Sequence, residues 1–295
     1  MSRAVLIRGY FKFMLMKIIR PKVVAPASLF VRCPWLSFYR LLVGLLIVYA
    51  GCSKVSAQPA SPANYLAPVV VKLEKVWPKN HRVNLVFHGH SVPAGYFKTP
   101  VVDSLDAYPN LLRVTLAQRF PHAVINVIVT AIGGEDSIEG AARFDADVLA
   151  LKPDVVFLDY ALNDRRIGLA KAKAAWTDMI QKAFLAGVKV VLLTPTPDQS
   201  EKLDAPNDPL NQHAEQIRQL AAEFHIGLVD SLAKFKAAVA GGMALTNLMA
   251  QVNHPNAAGH KLVAEELVKW FPPTLPPASN GHQSFNGAAE SSEVK

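Results

Sequence analysis

Four short segments carry the residue types that serine chemistry needs, and each stands where an apolar run or a linker ends. Val86-Phe87-His88-Gly89-His90-Ser91 passes from apolar residues straight into a serine. Ala131-Ile132-Gly133-Gly134-Glu135-Asp136, Ala161-Leu162-Asn163-Asp164 and Asn253-His254-Pro255-Asn256 follow down the chain. Ser91 is a hydroxyl nucleophile and His254 a base able to take its proton. The backbone N–H groups of Ser91 and Gly134 and the side-chain amide of Asn163 are three donors for an oxyanion developing on an attacked carbonyl. Glycine at 134 lets the backbone approach that oxygen without a Cβ in the way. Asparagine at 163 donates without carrying charge. Gly133 could exchange roles with Gly134, but the place directly before the acidic Glu135 favours Gly134. None of the four residues is specific alone. Their order, each at the end of its own element, points to acyl transfer.

Competing chemistries fit less well. His88 and His90 would share one face of an extended strand, as in a zinc-holding His-x-His pair, but only His254 offers itself as a third ligand. No metal or other cofactor is therefore expected. A strand-to-helix nucleophile elbow of the Gly-x-Ser-x-Gly type is excluded, because Pro93 stands two residues after Ser91. Gly133-Gly134 lacks the spacing and the lysine of a phosphate-binding loop.

The elements that must position these residues are legible from periodicity. Val83–Phe87, Val124–Val129, Val155–Tyr160, Val188–Leu193 and Gly227–Asp230 are short, apolar and rich in β-branched residues, as strands buried on both faces are. Helical patterns separate them, at about 108–119, 138–151, 170–186, 209–224 and 257–271. Alternating strands and helices predict an α/β domain with a five-stranded parallel sheet covered on both faces. In such sheets ligands bind beyond the carboxyl ends of the strands, where the four segments lie.

Over about Val83 to Phe271 the chain resembles the SGNH hydrolases, the GDSL-type lipases and esterases named for Ser, Gly, Asn and His in four sequence blocks. Gly89-His90-Ser91 stands for the serine block, Gly134-Glu135 with Gly140 and Arg143 for the glycine block, Ala161-Leu162-Asn163-Asp164 for the asparagine block, and Gln251-Val252-Asn253-His254-Pro255 for the histidine block. The resemblance implies a flavodoxin-like three-layer α/β/α fold and ester hydrolysis through an acyl-enzyme without a metal. It assigns Ser91, Gly134, Asn163 and His254 the catalytic roles. Three positions depart from the pattern: His90 replaces the aspartate before the serine, Ala161 replaces a glycine, and Gln251 replaces the carboxylate that would orient the histidine. Either Gln251 or a backbone carbonyl then orients His254, or a carboxylate arrives from elsewhere, Asp164 and Asp230 being candidates, or activity is lost and a silent carbohydrate-binding or surface protein remains. An acylated, first of all acetylated, carbohydrate is the leading substrate expectation, with lipid and aryl esters as alternatives.

Charge and composition bound the rest. Of 31 basic residues, eight lie within residues 1–52 among no acids, so the remaining 23 balance the 23 acidic ones. The formal charge of +8 thus belongs to the N-terminus, and no nucleic-acid partner is expected. That basic stretch precedes the apolar run Leu41–Ala50, too short for a bilayer span of roughly 20 residues but suited to a signal-peptide core. The division expected is an export leader over 1–57, a linker over 58–80 with a short structured approach at Val69–Val76, the hydrolase domain over 81–272 and a disordered tail over 273–295. Ala50-Gly51-Cys52 resembles a lipobox, which would attach the protein to a membrane through a lipidated Cys52; cleavage after Ala57 is the other exit. The two cysteines, Cys33 and Cys52, both fall in or beside this leader, so the exported domain is left without a disulfide.

Overall fold

The structure is a computed structural model that describes residues 57–274. The leader with Cys33 and Cys52, and the tail beyond 274, lie outside the described residues. Five strands, β1 (Arg82–Gly89), β2 (Val124–Val129), β3 (Val155–Asp159), β4 (Lys189–Leu193) and β5 (Gly227–Val229), form a parallel sheet in the order β2-β1-β3-β4-β5. This is the flavodoxin-like order, and its switch point falls at the carboxyl ends of β1 and β3.

Alternation along the strands sorts the core into two layers. Val83, Leu85 and Phe87 of β1 face one side, with Val155 and Phe157 of β3; Val86, Val156 and Leu158 face the other. Phe87 and Phe157 stack across the strand pair with ring centroids 4.3 Å apart. The first side is covered by α1 (Ala67–Leu73), α3 (Tyr108–Arg119), α8 (Ser231–Ala240) and α9 (Ala257–Val268). The second is covered by α4 (Ser137–Asp147) and α6 (Leu169–Leu185), while α7 (Pro209–Glu223) contributes to both. Two single-turn helices, α2 (Ser91–Ala94) and α5 (Ala161–Asp164), follow β1 and β3 directly. A short antiparallel pair, β6 (Met249–Gln251) and β7 (His254–Pro255), precedes α9.

Residues 58–80 differ from the expected linker. Leu66, Val69, Val70 and Leu73 are buried in the core, and Ala60 N–H donates to the Ile226 carbonyl at 2.9 Å. Pro68 misleads a compositional reading because it sits in the first turn of α1, where its missing N–H leaves no helical bond unmade. The helix α8 was likewise absent from the sequence expectation, as was the β6–β7 pair, whose strands are too short to show a period.

Candidate active site

β1 delivers Ser91 as the first residue of α2. Gly89 makes the approach possible: a Cβ there would run into the Asp159 carbonyl of the neighbouring β3. Ser91 is nearly buried, and its Oγ lies 2.9 Å from His254 Nε2. His254 Nδ1–H donates to the backbone carbonyl of Phe97 at 3.1 Å. That bond places the ring proton on Nδ1 and leaves Nε2 free to accept from the serine hydroxyl. Burial lowers the pKa of His254 below its ordinary value. The Phe97 carbonyl opposes the shift and the nearby His90 imidazole adds to it, and the net effect favours the neutral imidazole.

The expected oxyanion donors come from the flanking loops. Gly134 follows β2 with φ +88°, a conformation that glycine adopts without strain, and it is exposed at the site's mouth. Gly133 has a different requirement, since a Cβ would lie 2.8 Å from the Tyr96 ring. The N–H groups of Ser91 and Gly134 donate to no carbonyl among the described residues. Asn163, on α5, gives one amide hydrogen to the Glu135 carbonyl at 2.8 Å and keeps the other. Arg166 Nη2 binds the Gly134 carbonyl at 2.6 Å. Glu135 itself is gripped by Arg143 through contacts of 2.5 to 3.0 Å, so the glycine loop is fastened both to α4 and to the loop after β3. Ser91, Gly134 and Asn163 thus follow three adjacent strands, with His254 closing the site from the β6–β7 pair. A cleft of about 490 Å³ between α3 and α9 holds none of these groups.

The family model described as GDSL-like Lipase/Acylhydrolase matches residues 87–262, more than half of the chain. The chain belongs to this SGNH family of ester hydrolases. An acetylxylan esterase of Geobacillus stearothermophilus is 23% identical over 162 residues, spanning 51% of this chain and 74% of its own. The solved structure of Axe2, an acetylxylan esterase from the same organism, aligns with a TM-score of 0.55 at 22% identity, covering 64% of this chain and 94% of that one. A two-domain esterase active on acetylated mannans aligns with a TM-score of 0.60 at 20% identity, covering 79% and 59% respectively. At these identities the structural likeness speaks to the fold.

Against the SGNH pattern, the substituted positions acquire physical meanings. The Gln251 side chain makes no hydrogen bond to the His254 ring; its amide is engaged by Thr99 and Asn253, and the Phe97 carbonyl stands at Nδ1 instead. The other two candidate carboxylates are committed elsewhere: Asp164 accepts from Ser137 N–H and Trp176 Nε1, and Asp230 pairs with Arg218. His88 is no metal ligand in waiting, since Thr130 and the Gly140 carbonyl take both its ring nitrogens. His90 caps the nucleophile turn, its Nδ1 accepting Val92 N–H at 3.2 Å, which leaves the ring proton on Nε2 facing Asp159 Oδ1 at 3.4 Å. That contact has an ion-pair distance but not hydrogen-bond alignment, so its attraction is electrostatic. The other oxygen of Asp159 accepts from the Tyr108 hydroxyl at 2.9 Å. The buried carboxylate therefore sits on β3, and the serine block carries its imidazole partner.

Putting the family's aspartate back should then do harm. His90→Asp would set two carboxylates together in a buried site, and we expect a loss of about 3 kcal/mol or more of stability. His90→Asn keeps a cap and should lose less. Urea unfolding at pH 7 separates them, and a His90→Asp protein as stable as the wild type would show that His90 does not hold Asp159.

Phe97, Asp159 and Tyr108 escaped the sequence reading. Asp159 left one signal, a carboxylate ending an otherwise apolar strand. Phe97 left none, because it contributes a backbone carbonyl.

Proposed function

We propose that this protein is an exported serine esterase that removes acyl groups, first of all acetyl groups, from carbohydrates. Ser91 Oγ attacks the ester carbonyl while His254 Nε2 takes its proton. The oxyanion is met by the N–H groups of Ser91 and Gly134 and the second amide hydrogen of Asn163. Collapse expels the sugar hydroxyl, which receives the proton from His254, and leaves acyl-Ser91. Water then attacks the acyl-enzyme with His254 again as base, releasing the carboxylic acid.

One observation carries this reading: the 2.9 Å contact between Ser91 Oγ and His254 Nε2, with Nδ1 already bonded to a carbonyl. A carbonyl fixes the tautomer and the ring orientation as a triad carboxylate does, though without a full charge to stabilise the imidazolium. Support for a carbohydrate substrate comes from the names of the relatives above, and the exposure of Gly133 and Gly134 leaves the glycine loop open to solvent. The basic, apolar leader supports action outside the cytoplasm, and Cys52 would supply a lipid anchor there.

The test is acetate release by the purified protein from acetylated xylo- and manno-oligosaccharides, beside p-nitrophenyl acetate. Release from the saccharides with kcat/KM above that for the aryl ester is expected. Hydrolysis of the aryl ester alone would reject the carbohydrate substrate. A folded protein that cleaves neither, and that a fluorophosphonate does not label, would be the silent binding module.

A further inference from the structure

Phe97, which orients His254, lies in a loop that returns from the nucleophile turn. The loop's own bonds shape it: Tyr96 N–H donates to the Ser91 carbonyl, Phe97 N–H to Val101, Val101 N–H to Lys98 and Asp103 N–H to Gly95, at 2.7 to 3.0 Å. Apart from the bond to His254 itself, its hydrogen-bonded link to the β6–β7 pair is Gln251. Gln251 Oε1 accepts Thr99 N–H at 2.9 Å, while Nε2 donates to Thr99 Oγ1 at 3.3 Å and to Asn253 Oδ1 at 3.2 Å. Across the strand pair, Gln251 is the register partner of His254. The pair is braced from behind by Gln199, whose Nε2 donates to the Gln251 carbonyl at 3.1 Å and whose N–H donates to Val252 at 2.8 Å.

We propose that Gln251 is a positioning residue for the base: it holds the Phe97 loop at the distance from the His254 strand at which the Phe97 carbonyl serves where a carboxylate would otherwise stand. The inference rests on the reading of Ser91 and His254 as nucleophile and base. A carboxamide suits the position because Thr99 N–H needs an acceptor while Thr99 Oγ1 and Asn253 Oδ1 are offered a donor; a carboxylate presents acceptors only. An aspartate is also one methylene shorter, so it would forfeit Thr99 while finding the acceptor place at Nδ1 already filled.

The titratable groups around His254 are the Ser91 hydroxyl at Nε2, His90 beside the nucleophile turn, His260 on α9 and the Tyr96 ring at 5.7 Å. The Phe97 carbonyl is the influence that raises the pKa of His254, against burial and His90. Releasing the loop removes that influence.

Gln251→Ala, Gln251→Glu and Gln251→Asp in the whole protein test the clamp. For Gln251→Ala, kcat on p-nitrophenyl acetate should fall by about 10- to 100-fold with KM little changed, the size of effect that a misplaced catalytic group produces. Its acid limb of kcat/KM should move to lower pH, and the downfield proton resonance of His254 Nδ1–H should broaden or vanish. Gln251→Glu keeps the length and the acceptor for Thr99 N–H, and should lie between Gln251→Ala and the wild type. Gln251→Asp should bring no gain in rate. Wild-type kcat, acid limb and Nδ1–H resonance in Gln251→Ala would overturn the proposal. So would a Gln251→Asp protein faster than the wild type, which would make 251 a triad position. Should the wild type show no Ser91-dependent hydrolysis, the esterase reading fails, whereas the resonance still decides on the clamp: its persistence in Gln251→Ala overturns it without reference to activity.

Discussion

Ser91→Ala is expected to lower kcat on p-nitrophenyl acetate by about 10⁴- to 10⁶-fold, and His254→Ala by a similar factor. The double variant should lose little beyond either single one, because nucleophile and base act as one unit and the second removal finds nothing left to impair. The residual rate over water would belong to the proposed oxyanion donors, Gly134 and Asn163, which neither substitution touches. Loss of the fold would not explain the result. Ser91 Oγ makes one hydrogen bond, to His254, and in Ser91→Ala the imidazole keeps its bond to the Phe97 carbonyl. The urea midpoint should therefore stay close to the wild-type value. Covalent labelling by a fluorophosphonate gives the same answer by mass: one adduct in the wild type, on Ser91, and none in Ser91→Ala. A Ser91→Ala protein that keeps a tenth of the rate would reject the acyl-serine mechanism.

The second large effect is a steep loss of stability in acid. His88, His213 and His260 are buried, and in the fold burial pushes each pKa down from 6.5 to about 4. Between pH 6.5 and 4 the unfolded chain thus binds up to three more protons than the folded one at these sites, with His213, the least enclosed of them, contributing least. Their contribution to stability is complete above pH 6.5 and is lost as the pH falls toward 4. The corresponding slope is about 3 kcal/mol per pH unit for His88 and His260, and at most about 4 with His213. A reserve at the lower end of the typical range of about 5–15 kcal/mol would be consumed within that window. Asp164, whose pKa burial raises, opposes the trend at its lower end by taking up a proton in the folded state. Urea midpoints at pH 7, 6 and 5 measure the slope, and a midpoint constant across them would refute the assignment of neutral buried histidines. His254 adds a separate, reversible signature. Because its pKa is lowered, the acid limb of kcat/KM should fall below pH 6.5, so activity persists in mild acid until unfolding removes it.

What could be read directly from the chain was chemistry that resides in side chains and in period. The inner strands β1, β3 and β4 announce themselves because burial on both faces demands continuous apolar segments, whereas the edge strand β2 is as apolar in sequence yet exposed or half-buried along its length. Ser91, Asn163 and His254 stand out because a nucleophile, an uncharged donor and a base have few residue types to be made from, and each stands directly after an apolar run or before the last helix. Gln251 and His90 were visible as departures from the family pattern, but their meaning was not. A backbone carbonyl has no sequence signature, since every residue carries one, so only the return of the 95–103 loop onto the β6–β7 pair could place Phe97 at Nδ1. The partnership of His90 with Asp159 depends on β1 and β3 being neighbours, and the burial of 66–73 depends on a core surface that no local stretch displays. Sequence singled out the groups that the proposed mechanism uses. Tertiary contact decided which group stands at His254 Nδ1 and which carboxylate faces His90, because both depend on distances between segments far apart along the chain.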